Sequence, residues 1–433
     1  MKIAILGYNT EGRSSYDYFA SQGHELTICD QNTEVEVPNG ANSVLGANYL
    51  DDLDRFDLLV RTAGLKPSLI LDANPDVADK ITTQLNEFLK ICPTKNVIGI
   101  TGTKGKGTTS TLTTMMLQAA GKQVELGGNI GVPVLSLLDK LTPESWVVLE
   151  LSSFQLIDIK SSPHIAVCVM VVPEHLNWHL DLEEYIEAKT NLFRYQASDD
   201  LAIYFGENAN SKRIASAGKG QKLAYYAPDG ATIDNGRISI SGQVICRTDE
   251  LKLLGQHNWQ NACAAVTICW QIEKNPDALR SVLTSFTGLP HRLEFVRELH
   301  GLSFFNDSFA SSLHATEAAV EAIKGKKVMI LGGFDRMLNI DYFGVFAKSH
   351  ESEFRKLLLI GDCAKRVAAA LEEAGFTNYS VSESQSMSEI IGEAVTLAET
   401  GDSVVLSPGF ASFDMFKNFE DRGLQFKEAV NNL

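Results

Sequence analysis

The sequence predicts an α/β protein of three domains built around mostly parallel sheets. The chain has 433 residues, which is long enough for about three domains of ordinary size. Short apolar runs that end in Gly, Ser, Pro or an acidic residue recur along it. Buried parallel strands have this pattern, and their loops lie at one edge of the sheet, where ligands bind. Helical spacing follows several of these runs, for instance from Thr108 to Ala120.

The predicted elements can be taken in chain order. The strands are Lys2 to Leu6, Glu25 to Cys29, Asn96 to Ile100, Trp146 to Leu151, Ala166 to Val172, Lys327 to Leu331, Lys356 to Ile360 and Ser403 to Leu406. The region from Leu201 to Ile245 alternates and carries Asp-Gly and Asn-Gly pairs, which predicts hairpins or the margin of a sheet. Pro-containing linkers near residues 92 and 288 predict domains at 1–92, 93–288 and 289–433.

Composition and charge exclude several classes of protein. Lys and Arg number 38 and Asp and Glu number 54, for a net charge of −16. An acidic surface repels phosphate backbones and anionic lipid, so we expect neither nucleic acid nor a membrane as a partner. No apolar run approaches the length of a membrane span or a secretory signal. The seven cysteines form no CxxC pair, which favours buried thiols in a reducing, cytoplasmic compartment.

The strongest local motif is a glycine-rich loop that follows a predicted strand and opens a predicted helix. Gly102, Gly105 and Gly107 allow backbone amides to surround an anion, and the helix N-terminus adds partial positive charge. Lys106 would contact nucleotide phosphates. Gly107 stands where Ser or Thr is usual, so Thr108 becomes the candidate magnesium ligand. A glycine-rich turn with an exposed lysine is the alternative, but the strand–loop–helix context favours a nucleotide site.

Acidic and histidine side chains follow two further predicted strands. Glu150 ends one strand, and Glu174 and His175 follow another. Mg²⁺ prefers oxygen ligands, so Glu150 suits it, although a satisfied buried acid explains Glu150 equally well. His175 and His179 have the i, i+4 spacing of a zinc pair, but no HExxH order and no third ligand accompany them. A packed or capping role for His179 is therefore favoured.

The chain resembles the Mur ligase superfamily over essentially its whole length, and most closely its D-glutamate-adding members. The phosphate loop, His257-Asn-Trp-Gln-Asn261 and Gly288-Leu-Pro-His-Arg292 are shared across the superfamily. Two segments are specific to the D-glutamate-adding members: Ser152-Ser-Phe-Gln155 and Ala411-Ser-Phe-Asp-Met-Phe-Lys-Asn-Phe-Glu-Asp-Arg-Gly423. Their joint order in one chain identifies the resemblance. Other carriers are Gly127-Gly-Asn-Ile-Gly-Val-Pro133, Asn306-Asp-Ser308 and Leu331-Gly-Gly333.

The resemblance implies an architecture and an activity. The expected architecture is a Rossmann-like N-terminal domain for a UDP-sugar, a central P-loop-type ATPase domain and a Rossmann-like C-terminal domain for an amino acid. The expected activity is ATP-dependent addition of D-glutamate to UDP-N-acetylmuramoyl-L-alanine in cytoplasmic peptidoglycan precursor synthesis. It runs through an acyl phosphate and releases ADP and phosphate. The implied partners are these small molecules, ATP and two Mg²⁺, and the protein is expected to be a monomer.

The resemblance also implies a role for individual residues. Lys106, His175 and Lys189 are the expected catalytic residues, and Lys189 matches a lysine that the family carries as a carbamate. The expected ATP contacts are Gly102, Thr103, Lys104, Gly105, Lys106, Gly107, Thr108, Asn258, Asn261, Arg292 and Asp307. The expected metal ligands are Thr108, Glu150, His175 and Lys189. The expected UDP-sugar contacts are Asn9, Thr10, Asp30, Asn129 and Gln155. The expected amino-acid contacts are Ser311, Arg336, Ser412 and Phe419.

Departures from the family pattern keep alternatives open. Phe309 stands where many relatives have lysine, and Gly409-Phe410 replaces a common Ala-Cys. These changes bear on the amino-acid acceptor more than on the ligase chemistry. One alternative is another Mur-type or folylpolyglutamate-type ligase with a different acceptor. A second is a UDP-sugar-binding scaffold without turnover, although intact Lys106, Glu150, His175 and Lys189 argue against it.

Overall fold

The protein is described from a computed structural model that covers residues 1–176, 178–253, 255–335, 337 and 340–433. Its contacts divide the chain into two compact units. The first unit comprises residues 1–251 and 256–286, and the second comprises 252–255 and 287–433. The predicted limit at residue 92 falls inside the first unit. The three-way division into 1–92, 93–288 and 289–433 therefore stays a prediction.

The first unit begins with a parallel sheet of strand order β3-β2-β1-β4-β5. Side chains of the first strand alternate between two apolar clusters, with Ile3 and Ile5 on one face and Ala4 and Leu6 on the other. Helices therefore cover both faces of this sheet. The elements are β1 (Lys2–Leu6), α1 (Thr10–Ser21), β2 (Glu25–Asp30), β3 (Asn42–Leu45), β4 (Leu58–Arg61), α2 (Pro67–Ala73), β5 (Ile81–Thr83) and α3 (Gln84–Ile91).

A second parallel sheet in the same unit has the order β11-β10-β9-β6-β8-β7. Its central strand β6 is buried at every residue and leads directly into the glycine-rich loop. The elements are β6 (Val97–Thr101), α4 (Lys106–Ala119), β7 (Val124–Gly128), β8 (Trp146–Glu150), α5 (Ser153–Leu156), β9 (Ile165–Cys168), α6 (Leu182–Arg194), β10 (Leu201–Phe205), α7 (Ala209–Ala215) and β11 (Gln221–Tyr225).

The region from Leu201 to Ile245 contains both structures that its pattern predicted. Strands β10 and β11 form the parallel margin of the central sheet. The following residues form a separate antiparallel sheet of order β12-β13-β14. Two helices then complete the unit. These elements are β12 (Thr232–Asp234), β13 (Arg237–Ile240), β14 (Gln243–Arg247), α8 (Gln256–Ile272) and α9 (Pro276–Ser285).

The second unit is built on a mostly parallel sheet of order β15-β16-β20-β17-β18-β19, in which only the pairing of β15 with β16 is antiparallel. Strand β17 sends Met329 and Leu331 to one apolar cluster and Val328 and Ile330 to the other. The elements are β15 (Glu294–Leu299), β16 (Leu302–Asn306), α10 (Leu313–Ala322), β17 (Lys327–Gly332), α11 (Asp341–Ser349), β18 (Phe354–Ile360), α12 (Ala364–Glu373), β19 (Tyr379–Val381), α13 (Met387–Leu397), β20 (Ser403–Leu406) and α14 (Phe419–Asn431).

The predicted α/β class with mostly parallel sheets is confirmed. The seven cysteines are free thiols, and all except Cys92 are buried, as their apolar surroundings predicted. Across the described residues, every helix is too short or too polar to cross a bilayer.

Candidate active site

The glycine-rich loop joins β6 to α4 at the carboxyl edge of the central sheet. The amide of Thr103 donates to the carbonyl oxygen of Met170 at 2.7 Å, and the Thr103 hydroxyl donates to that of Val172 at 2.9 Å. These bonds fix the loop to the segment that follows β9. Helix α4 begins at Lys106, and Gly105 before it offers no side chain to cap the first turn. The amides of that turn are the groups that bind anions at helix N-termini.

Two asparagines of α8 lie beside this loop. A Cβ atom built on Gly105 would lie 2.2 Å from Oδ1 of Asn261, and the φ of Gly105 is +91°. Only glycine fits there, because the asparagine occupies the space that any side chain would need. Asn261 is buried, and its Nδ2 donates to Oδ1 of Asn258 at 3.2 Å. The structure therefore brings two of the predicted ATP contacts next to the predicted phosphate loop.

Two lysine ammonium groups meet at one backbone carbonyl. Nζ of Lys106 donates to the carbonyl oxygens of Gly102 and Thr103, each at 3.0 Å. Nζ of Lys189, on α6, donates to the same Gly102 oxygen at 2.9 Å, and Lys189 is only 1% exposed. Burial holds the pKa of Lys189 well below its usual value, and the charge of Lys106 lowers this pKa further. Two positive charges that approach the same carbonyl oxygen repel each other. An anionic ligand or an anionic modification would relieve this repulsion.

Glu150 ends β8 at the same sheet edge and is 5% exposed. Nδ2 of Asn129 donates to its Oε1 at 2.9 Å, and the Asn129 amide donates to the Glu150 carbonyl oxygen at 2.8 Å. Asn129 thus orients the carboxylate. Gly128 allows this approach, because a Cβ there would lie 2.3 Å from the Glu150 carbonyl oxygen. The predicted metal ligand is therefore present and oriented, and Asn129, predicted to contact the UDP-sugar, holds it.

His175 lies beyond β9 in the left-handed region, with a φ of +60°. Its side chain is 46% exposed, and Nε2 lies 3.7 Å from Oε2 of Glu174. Burial lowers the pKa of His175, against the opposing charge of Glu174. A strained backbone with a neutral imidazole fits a metal-binding histidine. Among the described residues, no three His, Cys, Asp or Glu side chains group closely enough to hold a metal without other ligands.

His179 is packed, as its context favoured. It is 2% exposed, and both ring nitrogens have partners. Nε2 lies 2.9 Å from Oγ of Ser153, and Nδ1 lies 3.2 Å from Oε2 of Glu184. Its hydrogen bonds are thus complete without a metal.

The first sheet carries a second glycine-containing loop, between β1 and α1. The Asn9 side chain caps α1 by accepting from the amides of Glu11 and Gly12 at 3.0 and 3.2 Å. Asp30, at the end of β2, accepts from the Tyr8 amide at 2.6 Å. Thr10 is the first residue of α1 and is exposed. The predicted UDP contacts Asn9, Thr10 and Asp30 therefore surround one helix N-terminus.

In the second unit, the predicted residues gather near the ends of β16 and β20. Asp307 accepts from the Ser407 hydroxyl at 2.7 Å and from the Leu293 amide at 3.0 Å. Burial raises the pKa of Asp307 to about 7. The Arg292 guanidinium lies 4.3 Å from the centroid of the Phe309 ring.

The remaining predicted amino-acid contacts differ in how exposed they are. Phe419 begins α14, and its ring centroid lies 5.0 Å from that of Phe309. Ser412 is 2% exposed, whereas Ser311 is exposed. Arg336 lies outside the described residues.

Comparisons with known proteins agree with this geometry. Residues 100–269 match the family model described as Mur ligase middle domain. Residues 291–410 match the one described as Mur ligase, glutamate ligase domain. The chain belongs to the Mur ligase family. Members of this family are ATP-dependent amino-acid ligases.

Curated relatives and solved structures support the assignment over the whole chain. The chain is 36% identical to a UDP-N-acetylmuramoylalanine–D-glutamate ligase of Clostridium tetani, covering 100% of this chain and 97% of that one. A protein of the same name from Clostridium kluyveri is 34% identical over the same shares. The fold is similar to that of MurF from Thermotoga maritima in complex with ADP. That match has a TM-score of 0.60 at 15% identity, and covers 99% of this chain and 94% of that one.

Sequence reasoning about this Mur ligase missed three polar side chains that hold loops in place, one in the second unit and two in the first. Arg422 is 1% exposed and donates to both Ser308 and the Phe410 carbonyl oxygen. Arg61, in the first unit, is also 1% exposed. Glu11, in the same unit, accepts a hydrogen bond at Oε1 from Nε2 of Gln155 at 2.9 Å. Only Arg61 had a signal in the sequence that could have indicated it, because it is a charged residue at the end of an otherwise apolar strand.

Proposed function

We propose that this chain is the ligase that adds D-glutamate to UDP-N-acetylmuramoyl-L-alanine, with ATP cleaved to ADP and phosphate. The observation that carries the proposal is the meeting of Lys106 and Lys189 at the Gly102 carbonyl, beside the buried carboxylate of Glu150. Such a site attracts a triphosphate and a divalent cation together. Full-length similarity to relatives that carry this name supports the choice of substrates.

Activation of a carboxylate explains why a phosphate loop is needed. A carboxylate is a poor acyl donor because its oxide is a very poor leaving group. Transfer of the terminal phosphoryl group of ATP to the L-alanine carboxylate converts that oxygen into phosphate, which leaves readily. The amine of D-glutamate then attacks the acyl carbon, and the tetrahedral intermediate collapses to an amide and phosphate.

Lys106 and the first turn of α4 would hold the phosphates of ATP in this scheme. Phosphoryl transfer depends on positioning and charge neutralisation more than on covalent help from the protein. Asn258 and Asn261 would contact adenine, and the loop residues Gly102 to Thr108 would surround the phosphates.

The donor set beside the loop fits magnesium. The carboxylate of Glu150 and the hydroxyl of Thr108 are oxygen ligands, and Mg²⁺ usually takes one or two such ligands with phosphate oxygens and water. His175 would serve a second ion near the reacting carboxylate. When bound, magnesium neutralises the charge that develops on the transferred group.

We propose that Lys189 carries a carbamate. The neutral amine attacks the carbon of CO₂, and loss of one proton leaves an anionic carbamate on Nζ. This change replaces a cation beside Lys106 with an anion. The burial of Lys189 supports the modification, because a buried ammonium is costly and its neutral form is the one that reacts.

The three predicted domains would divide the substrates between them. Asn9, Thr10 and Asp30, in residues 1–92, surround a helix N-terminus suited to a diphosphate. In this proposal Asn129 and Gln155 take part in UDP-sugar binding from residues 93–288. The C-terminal residues 289–433 would contact ATP through Arg292 and Asp307, and the amino acid through the remaining set. That set is Ser311, Arg336, Ser412 and Phe419.

We also propose that the protein acts as a cytoplasmic monomer on small molecules, without a nucleic-acid or membrane partner. Its net charge of −16 supports the absence of polyanionic partners. Its buried free thiols suit a reducing compartment.

A coupled ADP-release assay tests the proposal. We expect ADP release only when UDP-N-acetylmuramoyl-L-alanine and D-glutamate are both present. UDP-N-acetylglucosamine is the matched control, since it carries the nucleotide and a sugar but lacks the carboxylate. Turnover with dihydropteroate and glutamate instead would contradict the proposal, as would nucleotide-sugar binding without any ATP cleavage.

The exposed aromatic Phe309 favours one alternative, a Mur-type ligase with a different acceptor. Phe309 is 45% exposed, contacts Phe419 and stands where many relatives have lysine. A panel of D- and L-amino acids in the same assay decides this point. Faster turnover with an acceptor other than D-glutamate would favour the alternative.

A further inference from the structure

The last residue of β4 and the loop that follows it contact α5 and the segment after β9, next to the candidate active site. We call residues 61–66 the clamp loop. Its first residue, Arg61, has a side chain with no exposed surface. Nε and Nη2 of Arg61 donate to the two carboxylate oxygens of Asp158 at 2.6 and 2.5 Å. Nη2 also donates to the carbonyl oxygen of Phe154 at 3.0 Å. Both acceptors lie on or just after α5, the short helix that follows Glu150.

Arg61 also shapes the clamp loop itself. Its Nη1 donates to the carbonyl oxygens of Thr62 and Leu65 at 3.2 and 3.1 Å. One planar guanidinium therefore fixes both the loop and the helix. A lysine cannot reproduce this arrangement, because its ammonium is a single point charge without the paired geometry.

The far end of the clamp loop makes a second contact with the central sheet. Nζ of Lys66 donates to the carbonyl oxygen of Trp178 at 3.0 Å, and Nε1 of Trp178 donates to that of Gly64 at 3.3 Å. The Trp178 ring packs against Phe154 with centroids 4.6 Å apart. The clamp loop thus holds Phe154 from two sides, once through its carbonyl group and once through its ring.

The middle of the clamp loop supports the glycine loop between β1 and α1. The Ala63 amide donates to Oε2 of Glu11 at 2.8 Å. The other oxygen of Glu11 accepts from Nε2 of Gln155 at 2.9 Å. A Cβ on Gly7 would lie 2.3 Å from Oγ1 of Thr62, so the two loops pack without space for a side chain. The clamp loop therefore contacts both the proposed UDP-sugar loop and the helix beside the proposed metal ligand.

We propose that Arg61 is a positioning residue. It sets the distance between the loop joining β1 to α1, which would hold the UDP group of the substrate, and the L-alanine carboxylate of the same substrate, which is to be activated at the phosphate loop. The inference rests on the proposed function and adds to it a residue outside every motif of the resemblance. The UDP-sugar must reach from Asn9 to the phosphate loop, so both ends must be held in register. Misplacement of reacting groups by about 1 Å can lower a rate by roughly a hundredfold.

The test compares Arg61→Met with Arg61→Lys and with a control across the same boundary. Lys160→Met is the control, because Nζ of Lys160 donates to the Ile81 carbonyl oxygen and contacts neither α5 nor the glycine loop. We expect Arg61→Met to raise the KM for UDP-N-acetylmuramoyl-L-alanine and to lower kcat, each by about tenfold. The KM for ATP should stay within about twofold, because Arg61 contacts nothing in the phosphate loop. Arg61→Lys should recover only part of the loss.

Asp158→Asn keeps the shape of the contact and serves if Arg61→Met does not fold. It should shift the same two constants in the same direction by a smaller factor. If Arg61 had a purely structural role, the apparent kcat would instead fall in proportion to the fraction of enzyme that is folded, and both KM values would stay unchanged. That result, or an equal change in the KM for ATP, would overturn the inference. A wild-type protein that does not turn over the nucleotide-sugar contradicts the proposed function, and the inference with it. An active wild type with unaltered variants contradicts the inference alone.

Discussion

Cationic side chains lie at the carboxyl edge of a sheet in each of the two compact units, and their partners differ. In the first unit, Lys106 and Lys189 both donate to the Gly102 carbonyl oxygen. In the second unit, Arg422 donates to Ser308 through Nε and Nη2. It also donates to the carbonyl oxygens of Phe410 and Ala411, at 3.2 to 3.3 Å.

The difference separates two lysines whose positive charges converge on one carbonyl oxygen from an arginine whose donors each have an acceptor. Two ammonium groups near one carbonyl repel each other, and an anion relieves this repulsion. The Arg422 guanidinium uses its planar donors on fixed acceptors, which holds the loops around Ser308 and Phe410 in place. Burial lowers the pKa of Arg422 to about 10, which still leaves it charged at neutral pH. The first group is therefore arranged for a ligand and the second for structure.

Loss of Lys106 should have the largest effect on activity. We expect Lys106→Ala to lower kcat by about a thousandfold or more, because it removes the charge that faces the transferred phosphoryl group. The melting temperature should change little, since Lys106 is only partly buried in the first turn of α4. Lys122→Ala is the control in the ADP-release assay, because Lys122 is a partly exposed lysine that pairs with Glu273 and belongs to no predicted site. Near-normal turnover of Lys106→Ala would contradict the phosphate-loop assignment.

Lys189→Ala should lower activity by about a hundredfold, and small carboxylates should restore part of it. The rescue follows if the site needs only an anion at the position of the carbamate. Acetate or formate is compared with chloride at equal ionic strength. Lys106→Ala should show no such rescue, which distinguishes the two lysines. Absence of any rescue of Lys189→Ala would count against the carbamate.

Arg422→Gln should act on stability instead. We expect a loss of about 3 kcal/mol in the free energy of unfolding, because several buried carbonyl groups lose their donor. Arg297→Met is the matched control, since Arg297 donates to the carbonyl oxygens of Val430 and Asn431 at the end of α14. Denaturant unfolding measures both. Equal small losses would show that Arg422 does not organise its loops.

Asp307 should make stability depend on pH, with a change per pH unit that is smaller than the loss expected for Arg422→Gln. Because the pKa of Asp307 is raised to about 7, the folded protein keeps a proton there that the unfolded chain has lost between about pH 4 and pH 7. Its contribution to stability therefore falls as pH rises through this window, by at most about 1.4 kcal/mol per pH unit.

Asp307→Asn should remove this slope from melting temperatures measured across that range. The exposed Asp51→Asn should leave the slope as it is. If the melting temperatures of wild type and Asp307→Asn changed with pH by the same amounts, that result would contradict the raised pKa.

Local pattern was enough to predict strands at the centre of each large sheet, namely β1, β2, β6, β8, β9, β17, β18 and β20, but not most of the strands around them. Ser403 to Leu406 is a strand with the predicted limits, because the apolar residues Val404 to Leu406 form a short run between polar residues, and runs of this length in a globular protein are usually buried strands. The glycine-rich loop and the helix after it could also be predicted from the sequence pattern. Helix α1 begins at Thr10, although apolar spacing indicates a helix only from Tyr16. The Asn9 cap and the packing of Gly12 on Gly7 decide that start, and neither produces apolar periodicity.

Pairings between distant residues could not be predicted from pattern. Arg61 and Asp158 are 97 residues apart, and their contact depends on how two sheets pack. Asn129 was predicted as a substrate contact from its motif, but only the fold reveals that its amide holds Glu150. The roles of the predicted site residues stay predictions, since spacing indicates the chemistry of a side chain and not its bound partner.

Calorimetric titration of a non-hydrolysable ATP analogue with Mg²⁺ tests the central claim most directly. If Lys106 and the glycine-rich loop form a site for the phosphates of ATP, the wild type should bind one analogue per chain. Lys106→Ala should then bind it at least about tenfold more weakly. Absence of binding to the wild type, or equal affinity in the two proteins, would contradict the account.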